Sequence, residues 1–185
     1  MLDLSPHAQT LAAVVVGAVL ATLSGVAATQ LEAFFRRRER ERLAALLFGE
    51  VLCALEIILA TAAQARAHGE PYGPITRRTL RAARREIEVY DRNREALYDL
   101  RDADLRVEIH ALVVRMAMPL EGVLDGAEAP GAAAAETLDQ GFDFLMEMAG
   151  RLPAVVARLG KIARHGFEQY GRLRAEAADA GLDIK

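Results

Sequence analysis

The feature that most constrains the fold is an apolar stretch from Ala8 to Phe35, which has 28 residues without a lysine or arginine. Within it, Leu11 to Ala28 consists of Leu, Ala, Val and Gly, interrupted only by Thr22 and Ser24. As a helix this 18-residue run is about 27 Å long, close to the thickness of a hydrocarbon core, and hydroxyl groups can bond the backbone of their own helix. The sequence therefore predicts a transmembrane anchor at 8–35.

A basic run follows the anchor directly. It contains five arginines, Arg36, Arg37, Arg38, Arg40 and Arg42, whereas residues 1–35 contain no basic side chain except histidine. Cytoplasmic flanks carry the excess of Lys and Arg, so we expect the N-terminus outside and the bulk of the chain in the cytoplasm. The same five arginines are the candidates for contact with lipid headgroups. Arg outnumbers Lys 21 to 2 in this alanine-rich chain, which favours a bacterial inner membrane protein.

A cleaved signal peptide is the competing interpretation of the N-terminal segment. The small residues Val26, Ala27 and Ala28 satisfy a cleavage pattern. The residues before the apolar run, however, include Asp3 and carry no Lys or Arg, unlike the basic start of a signal peptide. We therefore expect an uncleaved anchor.

A second apolar stretch, Leu43 to Ala63, raises the question of a second span. Its ten Leu, Ile, Val and Phe residues favour insertion by roughly 3 to 6 kcal/mol, whereas Glu50 and Glu56 oppose it by about 5 to 7 kcal/mol if both sit centrally. A second crossing would also export several arginines. We expect a single-pass protein; if this stretch did insert, the two glutamates would be the first functional residues to test.

The remaining periodic segments all have helical spacing. Helix two is predicted from about Thr76 to Tyr98, and helix three begins after an Asp102 or Asp104 cap. Its inner face is expected to carry Leu105, Ile109, Leu112, Met116, Leu120 and Val123. In the last pattern, small or apolar residues recur at spacings of three and four positions, and the helix is expected to restart near Arg151. The pattern consists of Leu138, Phe142, Leu145, Ala149, Leu152, Val156, Leu159, Ala163, Gly166, Tyr170 and Leu173.

No segment shows sustained two-residue alternation, so the predicted fold is all-α. It consists of a single N-terminal transmembrane helix followed by an antiparallel bundle of about four helices. The expected organisation is a short extracytoplasmic tail at 1–7, the anchor at 8–35, a cytoplasmic bundle at 36–178 and a flexible tail at 179–185.

Small residues recur every four positions in the anchor: Ala13, Gly17, Ala21 and Gly25. Such a stripe lets two helix backbones approach closely in a membrane. It predicts membrane helix packing, either in a homo-oligomer or against another membrane protein.

A further set of arginines lies on helix two, at Arg77, Arg78, Arg81, Arg84 and Arg85. A solvated face and contact with anionic lipid are the two interpretations that we retain. Acidic neighbours dilute the positive charge and no aromatic residues are interleaved with it, so no nucleic-acid partner is expected.

The sequence offers little chemistry. Its two serines, Ser5 and Ser24, precede the bundle, and no phosphate-binding loop is present. His110 and His165 lie on helices, but Glu-x-x-His pairs are not repeated as a bundle metal site requires. We expect no cofactor, no metal and no enzymatic activity. The lone Cys53 and the methionines at 116, 118, 146 and 148 are expected in the core.

These observations favour a membrane-anchored helical interaction or scaffold protein, an accessory or assembly subunit of a membrane complex. The first alternative is an oligomeric transport or channel component that uses Glu50 and Glu56. The second is a tethered metal-binding or enzymatic bundle.

Overall fold

The computed structural model describes the backbone of residues 6–128 and 132–173, and the side chains of residues 14–127 and 135–173. Its helices are α1 (Pro6–His68), α2 (Pro74–Arg92), a 3-10 helix (Arg94–Asp99), α3 (Ala103–Glu128), α4 (Ala132–Ala149) and α5 (Leu152–Ala163), and residues 168–173 are also helical. No strand occurs in these ranges, which confirms the all-α prediction. The predicted tail at 179–185 and residues 1–5 of the other tail lie outside the described residues.

The chain divides into two compact units, Met1–Glu39 and Arg40–Lys185, which are described separately. In the first unit every described side chain is exposed, including large apolar ones such as Val14, Leu23 and Phe35. The hydroxyl groups of Thr22 and Thr29 donate to backbone carbonyls four residues earlier, at 2.8 and 2.9 Å. These two hydroxyl groups are thus satisfied within their own helix, while the described apolar side chains of the segment remain exposed.

The second unit is built around one apolar core, to which α1 contributes its C-terminal part. Phe48, Leu52, Leu55 and Leu59 are each no more than 1% exposed and belong to the same cluster as the inner faces of α2 to α5. The apolar stretch from Leu43 to Ala63 therefore packs against protein in this structure. Cys53 is also buried, as predicted.

By length and composition, α1 is the one helix of the described chain that could cross a membrane. Its most apolar 18-residue window has a mean hydropathy of 2.3 and is 50% buried. Because the described side chains from 14 to 40 are all exposed, this window falls in the part of α1 that forms the bundle core. Core helices of soluble bundles meet the same criterion, so the uncovered apolar surface before Arg36 is the better indication of a membrane segment.

α2 starts with Pro74 in its first turn, where the missing N–H leaves no hydrogen bond unmade. It ends at Arg92, six residues before the predicted end at Tyr98. The side chain of Asn93 donates to the carbonyl of Val89 at 2.8 Å, and the chain continues as a 3-10 helix that buries Leu97. Leu97 lies seven residues after the buried Tyr90, so it faces the core in the 3-10 segment as it would in a continuous α-helix.

α3 confirms the sequence prediction most closely. The carboxylate of Asp102 accepts a hydrogen bond from the backbone N–H of Leu105 at 3.0 Å, as an N-cap does. All six residues of the predicted inner face, from Leu105 to Val123, are buried. α3 packs most extensively against α4 and also against α2.

Up to Ala163 the last helical pattern is confirmed except at Val156, which is half-buried while Val155 is buried in its place, and beyond Ala163 it is wrong at Gly166. The chain restarts its helix at Arg151, between α4 and α5, as expected. It then leaves the helix through Arg164, at φ 53°, and Phe167, at φ 50°. Gly166, which the pattern placed inside, is exposed, and Phe167 is 4% exposed in its place. The left-handed backbone rotates the next apolar side chain into the core one residue later than the pattern predicts.

Candidate interaction surfaces

The small-residue stripe of the first unit forms open surface. Gly17, Ala21 and Gly25 are exposed, and a Cβ atom added at either glycine would meet nothing within 4 Å. The side chain of Ala13 lies outside the described residues. A neighbouring helix would find no intrachain side chain in its way at these glycines.

The five arginines after the anchor differ in their contacts. Arg36 pairs with Glu32 on the preceding turn, and the guanidinium of Arg38 lies 5.1 Å from the centre of the Phe34 ring. Arg37 and Arg40 are exposed. Arg42 belongs to the second unit, where its Nε donates to the carbonyl of Ala163 at 3.1 Å and so helps to hold the end of α5.

A second apolar face runs along the outside of α3. Val107, Ala111, Val114 and Met118 are spaced by four, three and four residues, which places them within about 60° of one another at 100° per residue. Val107 is 68% exposed, Val114 45% and Met118 78%. This face lies opposite the buried stripe of the same helix. The prediction of Met118 as a core residue is wrong because it falls on this outer face.

The outer face of α3 continues into a cavity of about 540 Å³ at its N-terminal end. The cavity is lined by Leu97, Tyr98, Val107, His110 and Ala111, with Arg94, Arg106 and Ala103 at its sides. Tyr98 is 83% exposed. Apolar patches that extend over several turns of a helix mark contact sites for other molecules more often than single exposed apolar residues do. This surface was not predicted from the sequence, although the regular spacing of its apolar residues can be read there.

A polar cluster fastens α4 to the end of α1. Arg66 donates to Asp139 at 2.6 Å and to Asp143 at 3.3 Å, and its guanidinium lies 4.5 Å from the centre of the Phe142 ring. Tyr72 donates its hydroxyl to Asp139 at 2.7 Å. The hydrogen bonds from Tyr72 and then Arg66 lower the pKa of Asp139, outweighing the effect of burial. Every partner is satisfied inside the cluster, so it serves to hold the helices together.

A second cluster joins α5 to the start of α3. Arg158 donates to Asp102 at 2.8 Å and also pairs with Glu108. The hydrogen bond from the N–H of Leu105, followed by that from Arg158, lowers the pKa of the Asp102 carboxyl. Asp102 therefore caps one helix and binds another with the same side chain.

His110 and His165 each contact an aromatic side chain. Nδ1 of His110 lies 2.9 Å from the hydroxyl oxygen of Tyr90, and His165 stacks on Phe167 at 5.1 Å between ring centres. In the described chain no three His, Cys, Asp or Glu side chains are grouped so as to hold a metal ion. Glu50 is exposed and Glu56 half-buried, on different faces of α1.

Comparison of the chain with protein-family models, with curated proteins and with solved structures gave no match.

Proposed function

We propose that this chain is a membrane-anchored helical interaction protein, an accessory or assembly subunit of a membrane complex. Residues 8–35 cross a bacterial inner membrane once, with the N-terminus outside, and the bundle acts in the cytoplasm through contacts with a protein partner. No observation in the described chain favours a path lined by Glu50 and Glu56, or a metal-binding or enzymatic bundle.

The outer face of α3 carries the proposal. Val107, Val114 and Met118 gain no burial free energy while they face water. Full burial of a side chain of this type is worth about 1.5 to 3 kcal/mol. Burial against the partner would recover that free energy. The cavity beside Tyr98 offers a place for an apolar side chain of that partner.

The first unit supports the membrane part of the proposal. Its apolar side chains are uncovered, its threonines bond their own helix backbone, and its basic residues begin where the apolar segment ends. A helix with these three properties is stable in lipid and unfavourable in water. The stripe at Gly17, Ala21 and Gly25 is a surface for helix packing in the membrane.

The test of the partner surface is site-specific photo-crosslinking in native membranes. A photoreactive residue replaces Val114 on the outer face, and a matched control replaces Arg115, which is exposed and lies about 100° around the helix from Val114. We expect an adduct from position 114 and none from position 115. An adduct of two 20.1 kDa chains identifies a second copy, and any other mass identifies a different protein. The absence of adducts at both positions would refute the proposal.

The membrane part has a separate test. We expect that alkaline carbonate leaves the full chain in the membrane fraction and that detergent releases it. A fluorescent protein fused to the C-terminus should be active on the cytoplasmic side, whereas a periplasmic phosphatase fused there should be inactive. Release by carbonate, or the opposite reporter pattern, would contradict the anchor or its orientation.

A further inference from the structure

We propose that an arginine-lined groove on α2 binds the phosphate groups of anionic phospholipids, an inference that builds on the proposed membrane anchor. The groove has a volume of about 850 Å³, with Ile75 at its rim, and is lined by five of the six arginines of this helix: Arg77, Arg78, Arg81, Arg84 and Arg85. The face of α2 opposite the groove packs into the core through Thr76, Leu80, Ala83, Ile87 and Tyr90.

The positive charge of the groove is only partly neutralised. Arg84 lies 3.0 Å from Glu121 and 3.6 Å from Glu88, so its charge is shared with carboxylates. In the described part of the chain, no carboxylate lies within 4 Å of the guanidinium groups of Arg77, Arg78 or Arg85. Glu88, which pairs with Arg84 and Arg92, is the acidic residue in the lining of the groove. The lining therefore has an excess of positive charge, which attracts an anion.

One donor in the groove is buried without an acceptor. The Nε atom of Arg77 has no contact with the surface and no hydrogen-bond partner among the described residues. A buried N–H that forms no hydrogen bond destabilises the state that contains it. The planar guanidinium group presents its N–H donors in pairs that match two oxygens of a phosphate. A small shift of the Arg77 side chain toward the groove would therefore let a phosphate accept hydrogen bonds from Nε and a terminal nitrogen together.

The rim of the groove favours a lipid as the source of the phosphate. Ile75 is 67% exposed and lies beside Pro74, so an apolar surface borders the arginines. A phospholipid carries an apolar portion next to its phosphate, whereas inorganic phosphate does not. No aromatic ring lines the groove, so it lacks the stacking surface with which proteins bind single-stranded nucleic acid.

The test uses the full chain in a neutral detergent, and binding is followed by isothermal titration calorimetry. The protein is titrated with dihexanoyl phosphatidylglycerol, with dihexanoyl phosphatidylcholine and with inorganic phosphate. We expect saturable binding of the anionic lipid that weakens as salt is added, and little response to the zwitterionic lipid. An equal response to both lipids would refute the proposal, and saturation by inorganic phosphate alone would refute the lipid as its source.

Two variants test the residues. Arg78→Gln with Arg85→Gln removes two charges that have no intrachain carboxylate partner, so the fold is expected to persist, with an unchanged circular dichroism spectrum. Each basic residue contributes about fivefold to the affinity for anionic lipid, and we expect the dissociation constant to rise about 30-fold. Lysine at both positions keeps the charge and should restore most of the binding. The matched control, Arg94→Gln with Arg115→Gln, removes two exposed charges outside the groove.

The outcomes separate this inference from the proposed function. An equal loss of lipid binding in the groove variant and in the control would show that only overall charge matters and would refute the groove. A groove that binds phosphatidylglycerol in a chain that carbonate extracts from membranes would leave the groove in place and refute the anchor. A carbonate-resistant chain with no lipid response in the groove would refute this inference alone.

Discussion

The contact between Gly49 and Phe167 allows a prediction about the substitution Gly49→Ala. Its effect on the free energy of unfolding should change sign when the Phe167 ring is removed. A Cβ atom at residue 49 would overlap three carbons of the Phe167 ring. The ring cannot retreat freely, because Phe167 is 4% exposed, stacks on His165 and lies against Gly160. Gly49→Ala should therefore displace the ring from the core.

Two opposing effects set the magnitude. Displacing the ring loses about 1.5 to 3 kcal/mol of apolar burial. Replacing glycine by alanine within a helix gains about 1 kcal/mol. Gly49→Ala should therefore lower the free energy of unfolding of the bundle by roughly 0.5 to 2 kcal/mol. In a Phe167→Ala background the overlap is absent, and Gly49→Ala should raise the free energy of unfolding by up to about 1 kcal/mol.

The assay is urea unfolding of the four proteins of this cycle, as full chains in a nonionic detergent, followed by far-ultraviolet circular dichroism. Gly122→Ala is the matched control, since Gly122 is also helical but a Cβ there would meet nothing within 4 Å. It should stabilise the bundle in both backgrounds. Equal effects of Gly49→Ala with and without the ring would refute the packing described for Phe167.

Three further outcomes follow from burial and charge. Met116→Ala in the core should cost about 2 to 5 kcal/mol, whereas Met118→Ala on the outer face should change the unfolding free energy by less than about 0.5 kcal/mol; urea unfolding compares the two, and similar costs would contradict the exposure of Met118. Burial raises the pKa of Tyr90 to about 12, so the folded state binds the phenolic proton more tightly than the unfolded state does. The stability that this proton contributes to the folded state is complete below a pH of about 10, the ordinary pKa of tyrosine. It is lost as the pH rises toward 12. Tyr90→Phe should flatten the fall of Tm in that range, and an unchanged slope would exclude this cause. Arg66→Gln should cost about 1 kcal/mol, and in a double-mutant cycle most of that cost should disappear in an Asp139→Asn background.

The sequence predicted those parts of the fold that depend on local periodicity. The inner face of α3, which the spacing predicted, is correct in all six positions. The end of α2 and the turn at Arg164 were not predictable in this way. Both depend on how Leu97 and Phe167 pack in the tertiary core. Helical spacing in the sequence does not show where the chain leaves a regular α-helix.

The candidate surfaces were predictable to a lesser degree. The outer face of α3 has a spacing as regular as the inner one, but sequence alone does not tell which of two apolar stripes a bundle buries. The pairing of Arg66 with Asp139 joins residues 73 positions apart and depends wholly on the tertiary fold. The arginines of α2 were recognised as a set, whereas the unpartnered Nε of Arg77 became visible only with the packing of the side chains.

The burial of Cys53 gives the bundle a built-in reporter of its own opening. At 2% exposure the thiol is shielded from reagents in solution, so its rate of alkylation measures how often the core becomes accessible. A partner that covers the outer face of α3, or a lipid bound to α2, would slow that reaction tenfold for about every 1.4 kcal/mol by which it stabilises the closed core. Ligand binding to the native chain can thus be followed by mass spectrometry without any introduced label.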